Sequence, residues 1–166
     1  MKTNLLMDFT VDKENCTVNV KREFNASIAN VWSAWTEAEI LDQWWAPAPY
    51  KSKTKSMDFK VGGHRLYAMV DQEGKEGWAL VDYISISPKS NFKTLGAFCD
   101  SEGNINPDFP RSNWSVSFSQ QGDITIVDVV IKHKQLSDIE KYIAMGFKEG
   151  FTSILENLDK IFEAKK

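Results

Sequence analysis

The stretch IAMGFKEGFTSIL, residues 143–155, decides how the chain is read. Its apolar residues keep helical spacing, with Ile143, Phe147, Phe151 and Ile154 near one face, yet it carries Gly146 and Gly150 four residues apart. A glycine in a helix interior costs roughly 1 kcal/mol relative to alanine. Two on one face imply that something approaches the helix closely. The apolar series runs on through Leu158 and Ile161, and Ser137-Asp138-Ile139-Glu140 has the form of a capping box. The spacing therefore predicts one helix over 137–164, roughly 40 Å long at 1.5 Å per residue. Lys160, Lys165 and Lys166 suit the dipole at its C-terminus. Two readings of the glycines are open: they admit a bulky sheet residue such as Trp114 or Phe118, or they widen a cavity for a ligand. Lys148 and Glu149 inside the motif exclude a membrane-embedded GxxxG pair.

Upstream of that helix the period is mostly two. CTVNVKREFN (16–25) reads as a strand with Val18, Val20 and Phe24 on one face and Arg22 interrupting them. SIANVWSAW (27–35) changes to helical spacing, with Ser27 as N-cap. Thr36-Glu37-Ala38-Glu39 offers a capping box for a second short helix, which Pro47 and Pro49 must end. TKSMDFKV and HRLYAMVD flank Gly62-Gly63 as a hairpin. GWALVDYISIS, NFKTLGAFCD, NWSVSFSQ and ITIVDVVIKHK follow as strands, the clearest being the alternation of Trp114, Val116 and Phe118 with serines. The expected fold is α+β: a curved antiparallel sheet of six or seven strands wrapped around a long C-terminal helix, with two short helices after the first strand. Such a sheet has one face to bury, and only the long helix is large enough to cover it.

The chain has 166 residues, which suits one domain spanning 1–166, with 1–15 as an N-terminal extension. Its net charge of −3 gives no support for a nucleic-acid or anionic-membrane surface. MKTNLLMDF is broken by Asp8 and lacks the form of a secretory signal, and no apolar run approaches membrane-spanning length. The expectation is a cytoplasmic protein, monomer or homodimer, in which Cys16 and Cys99 are reduced, buried thiols. Six tryptophans and ten phenylalanines suit either a core or a pocket lining. His64 and His133 are not at metal-ligand spacing and read as strand or surface residues. No nucleophile elbow, P-loop or dinucleotide fingerprint occurs, so the residues name no catalytic set, metal or cofactor. Any of Asp58, Asp71, Asp82 or Asp128 turned into an apolar hollow would have a raised pKa and suit general-acid work; on the outer face each is a solvated carboxylate.

VKREFNASIANVWSAWTEAEILDQWWAP, MDFKVGGHRLYAM and YIAMGFKEGFTSILENLDKIF, in this order and spacing, resemble the activator of heat-shock protein 90 ATPase homologue family. That family lies in the START-like, Bet v 1-like (SRPBCC) helix-grip superfamily. The resemblance runs from about Cys16 to Phe162. It implies a sheet wrapped around the last helix with a cavity between them. It implies function only loosely, because superfamily members include lipid and hormone carriers, polyketide cyclases and co-chaperone domains. The eukaryotic activator joins such a domain to a separate chaperone-binding domain, for which this sequence offers no room.

The hairpin sets the expected lining. A two-residue loop puts Asp58 and Lys60 on one face with Arg65, Tyr67 and Met69; a three-residue loop, Val61-Gly62-Gly63, puts Met57 and Phe59 there instead and is preferred because that face is mostly apolar. The family usually carries an aromatic residue where this chain has Arg65, which implies an inward position. Arg65 either holds the carboxylate or other polar head of an apolar ligand, with Tyr67 nearby, or pairs with a local acid such as Asp58, or lies at the sheet margin. Trp44 and Trp45 adjoin the expected mouth, as gate and core residue or as joint seals of the second helix. With Trp78, Phe98, Trp114, Phe118, Gly146 and Gly150 they complete the expected ligand-binding set. The best-supported activity is non-catalytic binding of a small, largely apolar molecule, carrying a carboxylate if Arg65 anchors it. The alternatives are a co-chaperone-like or stress-related interaction domain with a chaperone or other protein partner, and a cyclase- or hydrolase-type enzyme using the same cavity.

Overall fold

The structure is a computed structural model and describes residues 4–164. Eight strands form one antiparallel sheet: β1 (Met7–Asp12), β2 (Thr17–Phe24), β3 (Lys51–Met57), β4 (His64–Val70), β5 (Glu76–Ser87), β6 (Asn91–Cys99), β7 (Ser112–Gln121) and β8 (Ile124–Lys132). Their order across the sheet is β1-β2-β8-β7-β6-β5-β4-β3, so β1 and β3 are its edges. Helices α1 (Ile28–Thr36) and α2 (Ala38–Trp44) link β2 to β3, and α3 (Leu136–Ala144) and α4 (Phe147–Ala164) end the chain. This is the expected α+β helix-grip arrangement with one strand more than foreseen. The extra strand lies in the stretch read as an extension, where Phe9 pairs with Val20 and Val11 with Val18. No helix among the described residues is long and apolar enough to cross a membrane.

Register explains the core. Val18, Ile131 and Trp114 stand in one row across β2, β8 and β7, and Val20, Val129, Val116 and Phe92 stand in the next. Phe151, Ile154, Leu155, Leu158 and Phe162 of α4 are buried with these rows in one apolar cluster. Arg22, which interrupts the alternation of β2, is itself buried. Its Nη1 donates to the Glu23 carbonyl at 2.6 Å and its Nη2 pairs with Asp159 of α4. Burial pushes the Asp159 carboxyl above its ordinary value against the pull of Arg22.

The terminal helix is not continuous. Gly146 adopts φ +92°, a conformation that L-residues rarely take, and it separates α3 from α4. Nothing lies within 4 Å of a Cβ built there, so no close neighbour accounts for this glycine. Its role is backbone geometry: the Gly146 amide donates to the Ile143 carbonyl at 2.9 Å as α3 ends. Gly146→Ala should therefore cost about 1–2 kcal/mol through the left-handed conformation alone. Urea unfolding checks this; an unchanged midpoint would mean that the bend re-forms elsewhere.

Ser27 caps α1 as expected, accepting from the Asn30 amide at 3.2 Å. Both capping boxes are corrected. Thr36 closes α1, its hydroxyl donating to the Trp32 carbonyl at 2.8 Å, and α2 starts after Glu37 with no side-chain cap. Ser137 lies inside α3, whose N-cap position is Gln135. Thr36 sits one residue before, and Ser137 two residues after, the backbone break that a cap requires. Cys16 and Cys99 are unpaired, as expected, but both are half-buried rather than buried. Lys165 and Lys166 lie outside the described residues.

Candidate functional site

The apolar cluster fills one half of the sheet's concave face and stops short of the other. Over β4, β5 and β6 the inward positions turn small. Tyr67 pairs with Ala79 and Ala79 with Phe98; Arg65 pairs with Val81, Val81 with Gly96 and Gly96 with Ser112; Met69 pairs with Gly77. Gly77, Ala79, Gly96 and Ser112 leave little to fill the space beneath α4. The result is a cavity of about 390 Å³. Trp35, Leu41, Trp45 and Pro47 bound it from the α1–α2 side, and Phe147, Gly150, Phe151 and Ile154 from α4. Phe98 lines it while 38% exposed, so it marks where the cavity opens.

Its polar groups gather on the β4–β6 wall. Arg65, only 3% exposed, donates from Nη2 to Ser52 Oγ at 2.9 Å and to Asp42 Oδ1 at 3.2 Å. Its Nε donates to Thr54 Oγ1 at 3.2 Å, and its guanidinium carbon lies 3.9 Å from the centre of the Tyr67 ring. Asp42, on α2, also accepts from Ser52 Oγ at 2.9 Å, Thr54 Oγ1 at 2.8 Å and the Thr54 amide at 3.1 Å. The local acid anticipated for Arg65 is thus Asp42 and not Asp58, whose carboxylate pairs with Lys60 at 3.2 Å. The Tyr67 hydroxyl accepts from Trp45 Nε1 at 2.9 Å. Burial raises the Tyr67 phenol and pushes Tyr83 up to about 12, with the Arg65 charge pulling both down. Both phenols stay neutral at ordinary pH.

The anticipated residues divide in two. Trp45, Arg65, Tyr67, Met69, Phe98, Trp114 and Gly150 line the cavity. Trp44 instead lies in the core at 1% exposure, its indole donating to the Ala34 carbonyl at 2.9 Å. Of the two tryptophans, only Trp45 meets the cavity. Phe118 packs against Trp32 at 5.1 Å, within the filled half. Trp78 faces outward, with Lys55 Nζ 5.8 Å from its ring centre. Gly146 is the helix break, while a Cβ on Gly150 would find only Pro47 Cγ at 4.0 Å.

Met57 and Phe59 miss the cavity because the hairpin differs from the expected one. Strand β3 ends at Met57, which pairs with Arg65, and 58–63 form the connection. Phe59 lies in that loop, against Tyr83 at 4.8 Å and Phe92 at 5.8 Å. A bulge between Thr54 and Ser56 resets the register, which alternation alone does not reveal. Gly63 permits the loop to fold back, since a Cβ there would stand 2.2 Å from the Asp58 carbonyl. None of Asp58, Asp71, Asp82 and Asp128 lines the cavity. Asp82 pairs with Arg111 at 2.7 Å. No group of His, Cys, Asp or Glu among the described residues could hold a metal ion.

His133 was expected to be a strand or surface histidine, and it is neither. It follows β8, is 5% exposed, lines the cavity, and packs 5.3 Å from the Tyr142 ring of α3. Its Nδ1 is buried without a hydrogen-bond partner among the described residues. Burial lowers its pKa from 6.5, partly offset by Asp138. The unfolded chain therefore takes up this proton first, and stability falls as pH drops through 6.5 towards the lower folded value. His133→Leu should remove that loss, so its melting-temperature difference from wild type should grow in the variant's favour below pH 6.5. A difference constant across pH would show that the imidazole does not titrate on unfolding.

Comparison with known proteins gives the family. The model of the Activator of Hsp90 ATPase homolog 1-like protein family matches residues 25–163. No curated protein matches the chain. Among solved structures, Ms6760 from Mycobacterium smegmatis superposes with a TM-score of 0.86 at 22% identity, over 95% of this chain and 96% of its own. A protein from Arthrobacter aurescens gives 0.89 at 20% identity, over 95% and 91%. One from Staphylococcus epidermidis gives 0.83 at 23% identity, over 95% and 95%. At these identities the structural likeness is one of fold. The family match spans the helices, the hairpin and the whole cavity wall, and the chain belongs to the Activator of Hsp90 ATPase homolog 1-like protein family.

Proposed function

We propose that the protein binds a small, largely apolar molecule non-covalently in the cavity between sheet and terminal helices, as a single START-like domain acting in the cytoplasm. The observation that carries this reading is the set of small inward residues, Gly77, Ala79 and Gly96, on a wall whose other side chains are mostly aromatic and aliphatic. A volume of about 390 Å³ falls within the roughly 300–1,000 Å³ of small-molecule sites. The fold supports the reading, since sheet and helix diverge over the cavity. Of the anticipated contacts, Trp45, Tyr67, Met69, Phe98, Trp114 and Gly150 would surround the ligand.

The test uses N-phenyl-1-naphthylamine, an uncharged apolar dye. Titration should give a saturable, blue-shifted emission at one dye per chain, and native mass spectrometry of freshly purified protein should show mass beyond that of the bare chain. A bare mass together with a non-saturating dye signal would refute the reading.

A further inference from the structure

Four side chains of the β4–β6 wall have polar atoms that the fold leaves partly or wholly unused. Tyr83 is 3% exposed and Thr94 is 6% exposed; both line the cavity, and they stand side by side across β5 and β6. Neither hydroxyl makes a hydrogen bond within the described residues, and neither oxygen is among the shut-in, unpartnered atoms. Tyr67 already accepts from Trp45, which leaves its own proton to donate. Arg65 commits Nε and Nη2 to Thr54, Ser52 and Asp42, while Nη1 has no hydrogen-bond partner among the described residues. Buried polar groups in native proteins are nearly always hydrogen-bonded. The Tyr83 and Thr94 hydroxyls can donate or accept, whereas Tyr67 has its proton left and Arg65 can only donate, so the wall favours an oxygen acceptor as its partner.

Charge narrows the class. The guanidinium of Arg65 is already paired with Asp42. A ligand carboxylate would add a second anion to a balanced pair inside an apolar cavity, where an uncompensated charge is costly. An uncharged carbonyl oxygen brings no such charge and accepts two donors in its plane.

We infer that the ligand carries an uncharged carbonyl oxygen, a ketone, ester or amide on an apolar body, held by the Tyr83 and Thr94 hydroxyls beside Tyr67 and Arg65. This rests on the cavity-binding reading above and adds the ligand's polar group and where it lies. Tyr83→Phe and Thr94→Val remove hydroxyls that hold no protein hydrogen bond, so the fold loses no such bond in either variant.

The experiment compares three naphthalene probes on the whole chain: N-phenyl-1-naphthylamine, the ketone 6-propionyl-2-dimethylaminonaphthalene, and 6-dimethylamino-2-naphthoate. The ketone should bind more tightly than the naphthoate. Tyr83→Phe with Thr94→Val should weaken the ketone about tenfold and leave N-phenyl-1-naphthylamine unchanged, as for the loss of two ordinary hydrogen bonds. Infrared spectra should show the bound ketone's carbonyl stretch at lower frequency in wild type than in the double variant. The inference is overturned if the naphthoate binds best, if the variants weaken both neutral probes alike, or if the carbonyl band does not move. If no probe binds wild type, the cavity-binding reading falls with it.

Discussion

Gly96→Leu should lower the affinity for N-phenyl-1-naphthylamine at least about a hundredfold, roughly 2.7 kcal/mol, while the protein melts no earlier than wild type. The position faces the hollow between Val81 and Ser112. A Cβ there meets Ser112 Oγ at 3.6 Å, the Ser112 carbonyl at 3.9 Å and the Leu80 carbonyl at 4.0 Å, all ordinary contacts. The first carbon therefore fits without strain, and the rest of the leucine projects into space that a ligand would use. Glycine inside a strand costs roughly 0.5–1 kcal/mol, and a buried leucine gains about 1.5–3 kcal/mol. Filling a void would improve packing as it removes the site. Dye titration and thermal melting on the same sample separate the two effects. Wild-type affinity in Gly96→Leu would place the dye outside this cavity.

The second large effect concerns stability. Asp42→Ala should destabilise the fold by about 3–5 kcal/mol, the range for removing one partner of a buried ion pair. Arg65 has a side chain 3% exposed, against 30% for Asp42, so the arginine is the member left without its counter-charge. The substitution also strips acceptors from Ser52, from the Thr54 hydroxyl and from the Thr54 amide, which tie α2 to β3. Adding Arg65→Met to Asp42→Ala should restore much of the loss, because the stranded cation is then gone. Urea unfolding of the four members of this cycle measures it. A cost below about 1 kcal/mol for Asp42→Ala would mean that Arg65 swings out to water.

Local alternation carried much of the architecture. Trp114, Val116 and Phe118 announced β7, and the glycines at 62 and 63 announced the turn between β3 and β4. The same signal is present in MDFTVD, where Met7, Phe9 and Val11 alternate with Asp8, Thr10 and Asp12, although so short a run next to the N-terminus reads equally as an extension. Its pairing with β2 is a tertiary fact that the run does not state by itself. The candidate site was half legible. Alternation put Arg65 on one face with Tyr67 and Met69 and the family resemblance turned that face inward, but its partner Asp42 lies on a helix 23 residues away in the chain, where only packing brings the two together. The hollow has a sequence signal of small residues, which bulky linings do not give: Gly77 and Ala79 two apart on β5, and Gly96, opposite Val81, on β6. His133 had none, since its burial depends on Tyr142 of α3 folding back over it.

The open ends of the sheet carry one more consequence. A sheet that does not close offers unpaired amides and carbonyls along its first and last strands, which another chain's strand could extend. On β3 the exposed Lys51, Lys53 and Lys55 recur at every second position. A second copy adding itself there would set Lys51 and Lys53 against their counterparts, and the Thr54 amide is already taken by Asp42 at 3.1 Å, so charge and a side-chain cap together guard this rim. The same alternation that gives β3 a buried Ser52 for Arg65 thus leaves its other side with a fence of cations.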